Sequence, residues 1–460
     1  MVKEAAKREL KGIIKYVVAF FALAIGFTAL VTLVALLPSE RVQRNIENSM
    51  GLIEELDRNF NVPLFNDRRS RIDIGTDITM LNIQYHVDSS RPFMSAMVAP
   101  RFYDRQSVFL FEFLARSIEG GYEPNFAYQR YWHGWSVWVR PLLVFLNYQQ
   151  IRVVLNVVFY ALAAACLFLI YKKLNWAYTI PFVLALFSAY FITIPMNWQF
   201  FSVYLVTFIS CIVLLLKYRP EFEKYIPIMF FIVGAATSFM DFLTAPLVAF
   251  GLPAVLAMLL IMKADRERKL IDNIVMFARI GVAWILGYIL LWAAKWVILD
   301  LFVDMANAGF EFEQAVAPVT DAWYAVRDGV NQVFFRMNDM IVTLANRWTV
   351  IRTQVEWAFN RPSAEFVFVG AATVVALIFI CFHIFKKKNW NTLIFVVCAL
   401  IPFVWFFITT NHAWIHWYFT FRNISVAVFA LSSAVVYAAV DLTQNKTITR
   451  FKKRVKHVKP

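Results

Sequence analysis

Charge is scarce in this sequence. Asp, Glu, Lys and Arg supply 17% of its 460 residues, while apolar residues supply 60% and aromatics 17%. Soluble domains carry roughly 25% charged and about 45–50% apolar residues, so no water-soluble core hides this much apolar surface. Cysteine is scarcer still. Cys166, Cys211, Cys381 and Cys398 all lie inside apolar runs, which argues against a disulfide framework or a thiolate zinc site. The P-loop, the Rossmann glycine fingerprint, HExxH and the nucleophile elbow are missing, so the motifs of soluble enzymes give nothing. No internal repeat or low-complexity tract stands out. Two Asn-X-Ser/Thr triplets carry no weight: Asn445-Lys446-Thr447 sits in a basic tail and Asn423-Ile424-Ser425 inside a predicted spanning helix.

What the sequence has instead is a series of nearly uncharged stretches about twenty residues long, enough to cross the hydrocarbon core of a bilayer as a helix. Helices follow because lipid offers backbone N–H and C=O groups no partners, and a helix satisfies its own. The least charged windows predict an all-α integral membrane protein of about ten transmembrane helices, at 13–37, 150–171, 177–195, 200–216, 225–240, 243–262, 274–299, 365–385, 391–409 and 418–440. The first window follows Lys3, Lys7, Arg8 and Lys11 but exceeds the roughly 7–15 apolar residues of a secretory signal, and is expected to be retained. Residues 1–460 are expected to form a single polytopic membrane domain.

The formal net charge of +14 fits topology better than a nucleic-acid partner, because the basic residues flank the apolar windows. With the N-terminus in the cytoplasm, the inner connections hold Lys172 and Lys173, then Lys217, Arg219 and Lys224, then Lys263, Arg266, Arg268 and Lys269, then Lys386 to Lys388. The tail adds Lys446, Arg450, Lys452, Lys453, Arg454, Lys456 and Lys459. The short outer connections at 196–199, Asp241 and 411–417 hold no Lys or Arg. This positive-inside pattern puts both termini in the cytoplasm of a plasma or inner membrane, and the remaining polar clusters outside.

Two outer segments are long, 38–149 and 300–364. In the first, Val42, Ile46, Met50 and Ile53 recur at helical spacing among Glu40, Arg44, Glu47 and Glu54, and Phe109, Leu110, Phe113, Leu114 and Ile118 follow. In the second, Trp323, Val326, Val330, Val333, Met337, Ile341, Leu344, Trp348, Ile351 and Val355 form a stripe. Amphipathic helices lying in the membrane interface are expected from both.

Four clusters carry the candidate chemistry. Asp73 and Asp77, in Arg71-Ile72-Asp73-Ile74-Gly75-Thr76-Asp77, share a face if the segment is helical, although Gly75 also suits a turn. Such a carboxylate can act as general base or help hold a divalent cation, Mg²⁺ or Mn²⁺, or it can be a solvated loop acid or helix cap. Tyr131-Trp132-His133-Gly134-Trp135 precedes Trp138 and Arg140; these rings can stack on a sugar or anchor the chain at the headgroup level, and Arg140 suits a phosphate. Asp241 is the only charge between two apolar runs, a functional candidate or a cap for the following helix. In Asn411-His412-Ala413-Trp414-Ile415-His416-Trp417, His412 and His416 lie four apart, and Arg422 follows. The histidines can bind metal, though without a nearby helical Glu, or serve a phosphate leaving group; with Arg422 they can also be interfacial side chains.

Thr76-Asp77, Tyr131-Trp132-His133-Gly134, Asp241-Phe242-Leu243-Thr244 and His416-Trp417-Tyr418-Phe419-Thr420-Phe421-Arg422, set in this layout, resemble the GT-C superfamily of membrane glycosyltransferases. The similarity covers nearly the whole chain as a layout. It implies transfer of a sugar from a polyprenyl-phosphate donor to an extracytoplasmic glycan, lipid or protein acceptor. Family enzymes place the catalytic Asp or Glu in the first outer loop, often close to the first helix; Asp77 lies farther along and no Asp-Asp or Glu-Asp doublet is present. By resemblance Asp77 is the preferred base and Asp73 the alternative. Arg422, Arg140, His412 and His416 are then expected to bind the donor phosphate, and Tyr131, Trp132, His133, Trp135 and Asp241 the substrate. A transporter or flippase of lipid-linked sugars is the rival, disfavoured by central helices with few charges and no repeat; a glycan polymerase or ligase is another.

Overall fold

The computed structural model describes residues 2–59, 63, 67–303, 311–312, 324–338, 344–361 and 363–456. Among them, regular structure is helical except for three two-residue strands, Pro100–Arg101, Phe126–Ala127 and Glu311–Phe312. These strands make one small sheet that ties the first long segment to the second: Phe126–Ala127 pairs antiparallel with Pro100–Arg101 and parallel with Glu311–Phe312. Nine helices among the described residues are long and apolar enough to cross a membrane: Gly12–Ala35, Tyr148–Lys173, Trp198–Lys217, Pro220–Met240, Pro246–Ala264, Leu270–Phe302, Ala364–Lys387, Trp390–Ile408 and Trp417–Thr443. The chain is an all-α, multi-pass membrane protein.

The window at 177–195 departs from expectation. Its α-helix, Trp176–Ser188, is 13 residues long and rises only about 20 Å, short of a hydrocarbon core of about 30 Å. Tyr190 then takes a left-handed φ of 56°, and a 3-10 turn, Phe191–Met196, carries the chain onward. The broken segment still joins the two ends of the bundle. At one end Lys263 donates to the carbonyls of Lys173 and Leu174; at the other, Asn197 accepts from the Asp73 N–H and the Trp198 N–H donates to Asp77.

The ends differ in character. The basic connections meet at one, where Arg268 pairs with Glu223 at 2.7 Å and Asn391 donates to the Arg268 carbonyl. The connections poor in Lys and Arg meet both long segments at the other. Between the ends, helices pack through small residues, as expected where lipid supplies no hydrophobic drive to association. A Cβ on Gly234 would stand 2.0 Å from the Trp284 carbonyl oxygen, and one on Gly287 2.0 Å from that of Phe231, so Ile226–Met240 and Leu270–Phe302 touch backbone to backbone. Val367, Phe368, Val374, Val375 and Ile378 stay exposed along Ala364–Lys387, an apolar surface that suits lipid.

The first amphipathic stripe packs against protein. Val42, Ile46 and Ile53, on Ser39–Glu47 and Met50–Arg58, are completely buried, and these helices pack on Ile74–Tyr85 and Ser136–Leu143. The stripe of the second segment is divided between Tyr324–Asn338 and Leu344–Ala358, with Ile351 buried and Val330 and Trp348 exposed. Trp323, Ile341 and Lys459 lie outside the described residues.

Candidate functional site

A cavity of about 670 Å³ opens at the end away from the basic connections. A smaller chamber of about 210 Å³ adjoins it. Asp73, Ile415 and Tyr418 line both.

Asp73 owes its place to helix capping. As N-cap of Ile74–Tyr85 it accepts from the Thr76 N–H at 3.4 Å and the Thr76 hydroxyl at 2.8 Å, satisfying a helix terminus that otherwise lacks a partner. Gln199 also donates to its carboxylate. Burial raises the Asp73 pKa, opposed by Thr76, Gln199 and the charge of Arg422. Asp77, one turn later, points elsewhere. It is fully buried, accepts from the Trp198 N–H at 3.0 Å and the Tyr148 hydroxyl at 2.7 Å, and lines neither compartment. Burial pushes its pKa up to about 8. The residue preferred by resemblance therefore braces helices, and the alternative acid faces the space.

The chamber is lined by Arg68, Arg69, Arg71 and Arg422. Arg69 is neutralised by Asp67 at 2.7 Å and Glu365 at 2.9 Å. Arg422 is not. Its contacts to the carbonyls of Tyr418 and Phe419 and to the Thr193 hydroxyl are all 3.4 Å long, beyond the usual 2.7–3.2 Å of a good hydrogen bond, and its guanidinium lies 3.9 Å from the Phe200 ring centre. Among the described residues the buried Nε atoms of Arg68, Arg71 and Arg422 find no partner. Each such donor costs about 1–3 kcal/mol if left dry, and an anionic oxygen is the acceptor best suited to it.

On the far wall of the larger cavity stands Arg336, from the Tyr324–Asn338 helix. Its Nη1 lies 3.1 Å from both His412 Nδ1 and His416 Nε2. A guanidinium only donates, so both imidazoles face it with lone pairs. The hydrogen of His412 therefore sits on Nε2, which donates to the Leu243 carbonyl at 2.7 Å; that of His416 sits on Nδ1. Burial, then the charge of Arg336, lowers both histidine pKa values, that of His416 to about 3. In this arrangement His412 has both ring nitrogens engaged and His416 has Nε2 engaged by Arg336; His416 lines the cavity and His412 stands behind it. Leu243 adopts a left-handed φ of 66°, a conformation costing roughly 1–3 kcal/mol in a non-glycine residue, and its carbonyl is the group that orients His412.

Other expected site residues hold the fold. Arg140 is buried, donating to the Gln84 carbonyl at 3.1 Å, the Leu37 carbonyl at 2.8 Å and the Ser39 hydroxyl at 2.9 Å, so its charge serves helix ends rather than a phosphate in either compartment. Trp132 donates to the Leu291 carbonyl at 2.6 Å, and Trp135 is enclosed; neither is a belt residue or a sugar platform at the cavity. His133 bonds the Tyr128 carbonyl at 2.6 Å and has a left-handed φ of 56°. Gly134 follows because a Cβ there would meet the Phe239 ring at 2.4 Å. Tyr131 does line the cavity, with Tyr128 and Phe242. Asp241 is buried at the end of Ile226–Met240 and accepts from the Thr244 N–H at 3.0 Å; burial raises its pKa to about 6, and Oδ2 has no partner among the described residues. It sits behind Phe242 and Thr244, which reach the cavity.

Arg336, Arg68 and Asp57 are lining residues that sequence reading passed over. Asp57 faces the cavity and accepts from the Phe111 N–H at 2.8 Å. Arg336 carried a signal, a cation three residues after Val333 on the edge of an apolar stripe. Arg68 carried one in the density of Asp67-Arg68-Arg69-Ser70-Arg71. Among the described residues no group of three or more His, Cys, Asp and Glu side chains converges as a cation site. No protein-family model matches the chain, and no curated protein or solved structure is found to be similar to it.

Proposed function

We propose that this chain is a membrane glycosyltransferase that moves a sugar from a polyprenyl-phosphate donor to an extracytoplasmic glycan, lipid or protein acceptor. The observation that carries the reading is Asp73 at the junction of an aromatic, polar cavity with an arginine-lined chamber in which the Nε atoms of Arg68, Arg71 and Arg422 lack partners among the described residues. The chamber suits a lipid phosphate, and the cavity is large enough for sugars. The basic end lies in the cytoplasm and the cavity opens outside, consistent with the distribution of Lys and Arg.

In the reaction, Asp73 takes the proton of an acceptor hydroxyl as that oxygen bonds to the anomeric carbon. The bond from this carbon to the phosphate oxygen breaks, and its electron pair leaves with the phosphate held by Arg422. A single displacement inverts the anomeric centre. The raised pKa of Asp73 makes its carboxylate a better proton acceptor than an ordinary aspartate.

The test uses the full chain in lipid nanodiscs. Polyprenyl phosphate is expected to bind saturably, and Arg422→Gln to weaken it by about tenfold or more, the value of a charge-assisted hydrogen bond of about 1.5–3 kcal/mol. Equal binding by both forms would remove the chamber from the mechanism. A translocator is distinguished by product: the transferase alters the lipid-linked sugar, a flippase only moves it between leaflets.

A further inference from the structure

The donor proposed above brings one phosphate, yet two arginines with no carboxylate in hydrogen-bond contact among the described residues stand one on each side of Asp73. Arg422 lies in the chamber. Arg336 lies in the cavity, and its hydrogen-bond partners among the described residues are two neutral imidazoles. Nη1 is spent on those rings, which leaves Nε and Nη2 for a ligand. The contrast with another arginine that lines the cavity is direct: Arg58 is paired with Glu54 at 2.8 Å. Two histidines that serve as acceptors brace the guanidinium without cancelling its charge, whereas a carboxylate in their place would cancel it. Since arginine keeps its proton in proteins, the wall presents a fixed cation to whatever enters beside Asp73. Tyr128, Tyr131 and Tyr418 supply ring faces and hydroxyls to the same space, the surroundings of a sugar ring.

We propose that the acceptor is an acidic sugar whose carboxylate or phosphate is held by Arg336 while one of its hydroxyls reaches Asp73. This rests on the transferase reading and deepens it. His412 and His416 are positioning residues for Arg336. The anion on Arg336 and the departing phosphate on Arg422 flank the reacting hydroxyl from opposite sides.

Three probes separate the chemistry: D-glucuronate, glucose 6-phosphate and glucose, each titrated against the full chain in nanodiscs at constant ionic strength. At least one acidic sugar is expected to bind about tenfold or more tightly than glucose, as a charge-assisted contact requires. Preference for glucuronate alone identifies a carboxylate, and preference for glucose 6-phosphate alone a phosphate. R336Q is expected to abolish the preference, and R336K to keep part of it. Arg91→Gln, which removes an exposed guanidinium elsewhere in the first long segment, is expected to leave it intact. If R336Q does not assemble into discs, R336K carries the test and must lower acidic-sugar affinity severalfold. The proposal is overturned if neither acidic sugar binds the wild type, if glucose binds as well as they do, or if the preference survives R336Q. Polyprenyl phosphate binding on the same discs reports the donor reading separately, so either assignment can fail alone.

Discussion

Arg140 and Arg422 are equally buried, each 1% exposed, yet their guanidinium groups are satisfied to different degrees. Arg140 makes three bonds between 2.8 and 3.1 Å, two of them to carbonyls at or just beyond the ends of helices, where partial negative charge accumulates. Among the described residues Arg422 has contacts at 3.4 Å and the rings of Phe200 and Phe421. The same contrast separates Asp77, gripped by Trp198 and Tyr148, from Asp73, whose cap leaves it facing two compartments. Both arginines keep a buried Nε without a partner among the described residues, so the difference lies in the terminal nitrogens: a charge held there by short bonds to its own protein holds the fold together. One held loosely beside a cavity is available to a ligand.

The sharpest way to break this contrast is at the acids. Asp73→Asn is expected to lower sugar transfer from polyprenyl-phosphate donors by roughly 10²–10⁴-fold, the usual value of a general base, with the thermal unfolding profile little changed. Transfer that survives at full rate in folded Asp73→Asn protein sinks the assignment. Arg140→Leu should instead cost about 3 kcal/mol of stability, since it strips a charged donor from buried carbonyls; the fraction that folds should bind polyprenyl phosphate like wild type, and a selective loss of that binding would return Arg140 to the site.

Asp77 offers a test by pH. With its folded pKa near 8 and an unfolded carboxyl near 3.9, the folded chain keeps a proton that the unfolded chain has already released. Stability from this group is therefore full below about pH 4 and declines as pH rises towards 8. Thermal denaturation between pH 5 and 9 should show wild type losing stability relative to Asp77→Asn as pH rises. A constant difference between the two curves would mean that Asp77 is ionised throughout. The smallest expected effect is Trp132→Phe, which removes one hydrogen bond worth about 1 kcal/mol and should leave sugar binding unaltered; a lost sugar affinity would make Trp132 a platform after all.

Much of the architecture was legible in the sequence because membrane insertion acts on local composition. The long apolar runs and the segregation of Lys and Arg need no knowledge of tertiary contacts. The window at 177–195 was read as one helix because hydropathy does not register the left-handed turn at Tyr190 or the 3-10 geometry around Pro195. The stripe of Val42, Ile46 and Ile53 has a related limit: an amphipathic pattern states that one face is covered, and not whether lipid or protein covers it, and here protein covers these three side chains. At the site, Asp73, His416, Arg422 and Tyr131 were found as ionisable or aromatic residues beside apolar windows, and the structure brings them to the shared compartments. Arg336 and Asp57 were passed over because they lie in amphipathic helices where charges are ordinary.

Sequence alone determined that this chain belongs in a membrane as a bundle of helices, because a hydrocarbon solvent penalises any unpaired backbone or charge along each crossing independently. Only tertiary structure decided what each buried charge does. Asp73 and Asp77 are the same residue type one turn apart, as are Arg140 and Arg422 in burial; their roles depend on which distant carbonyl, hydroxyl or ring the fold brings within hydrogen-bonding distance.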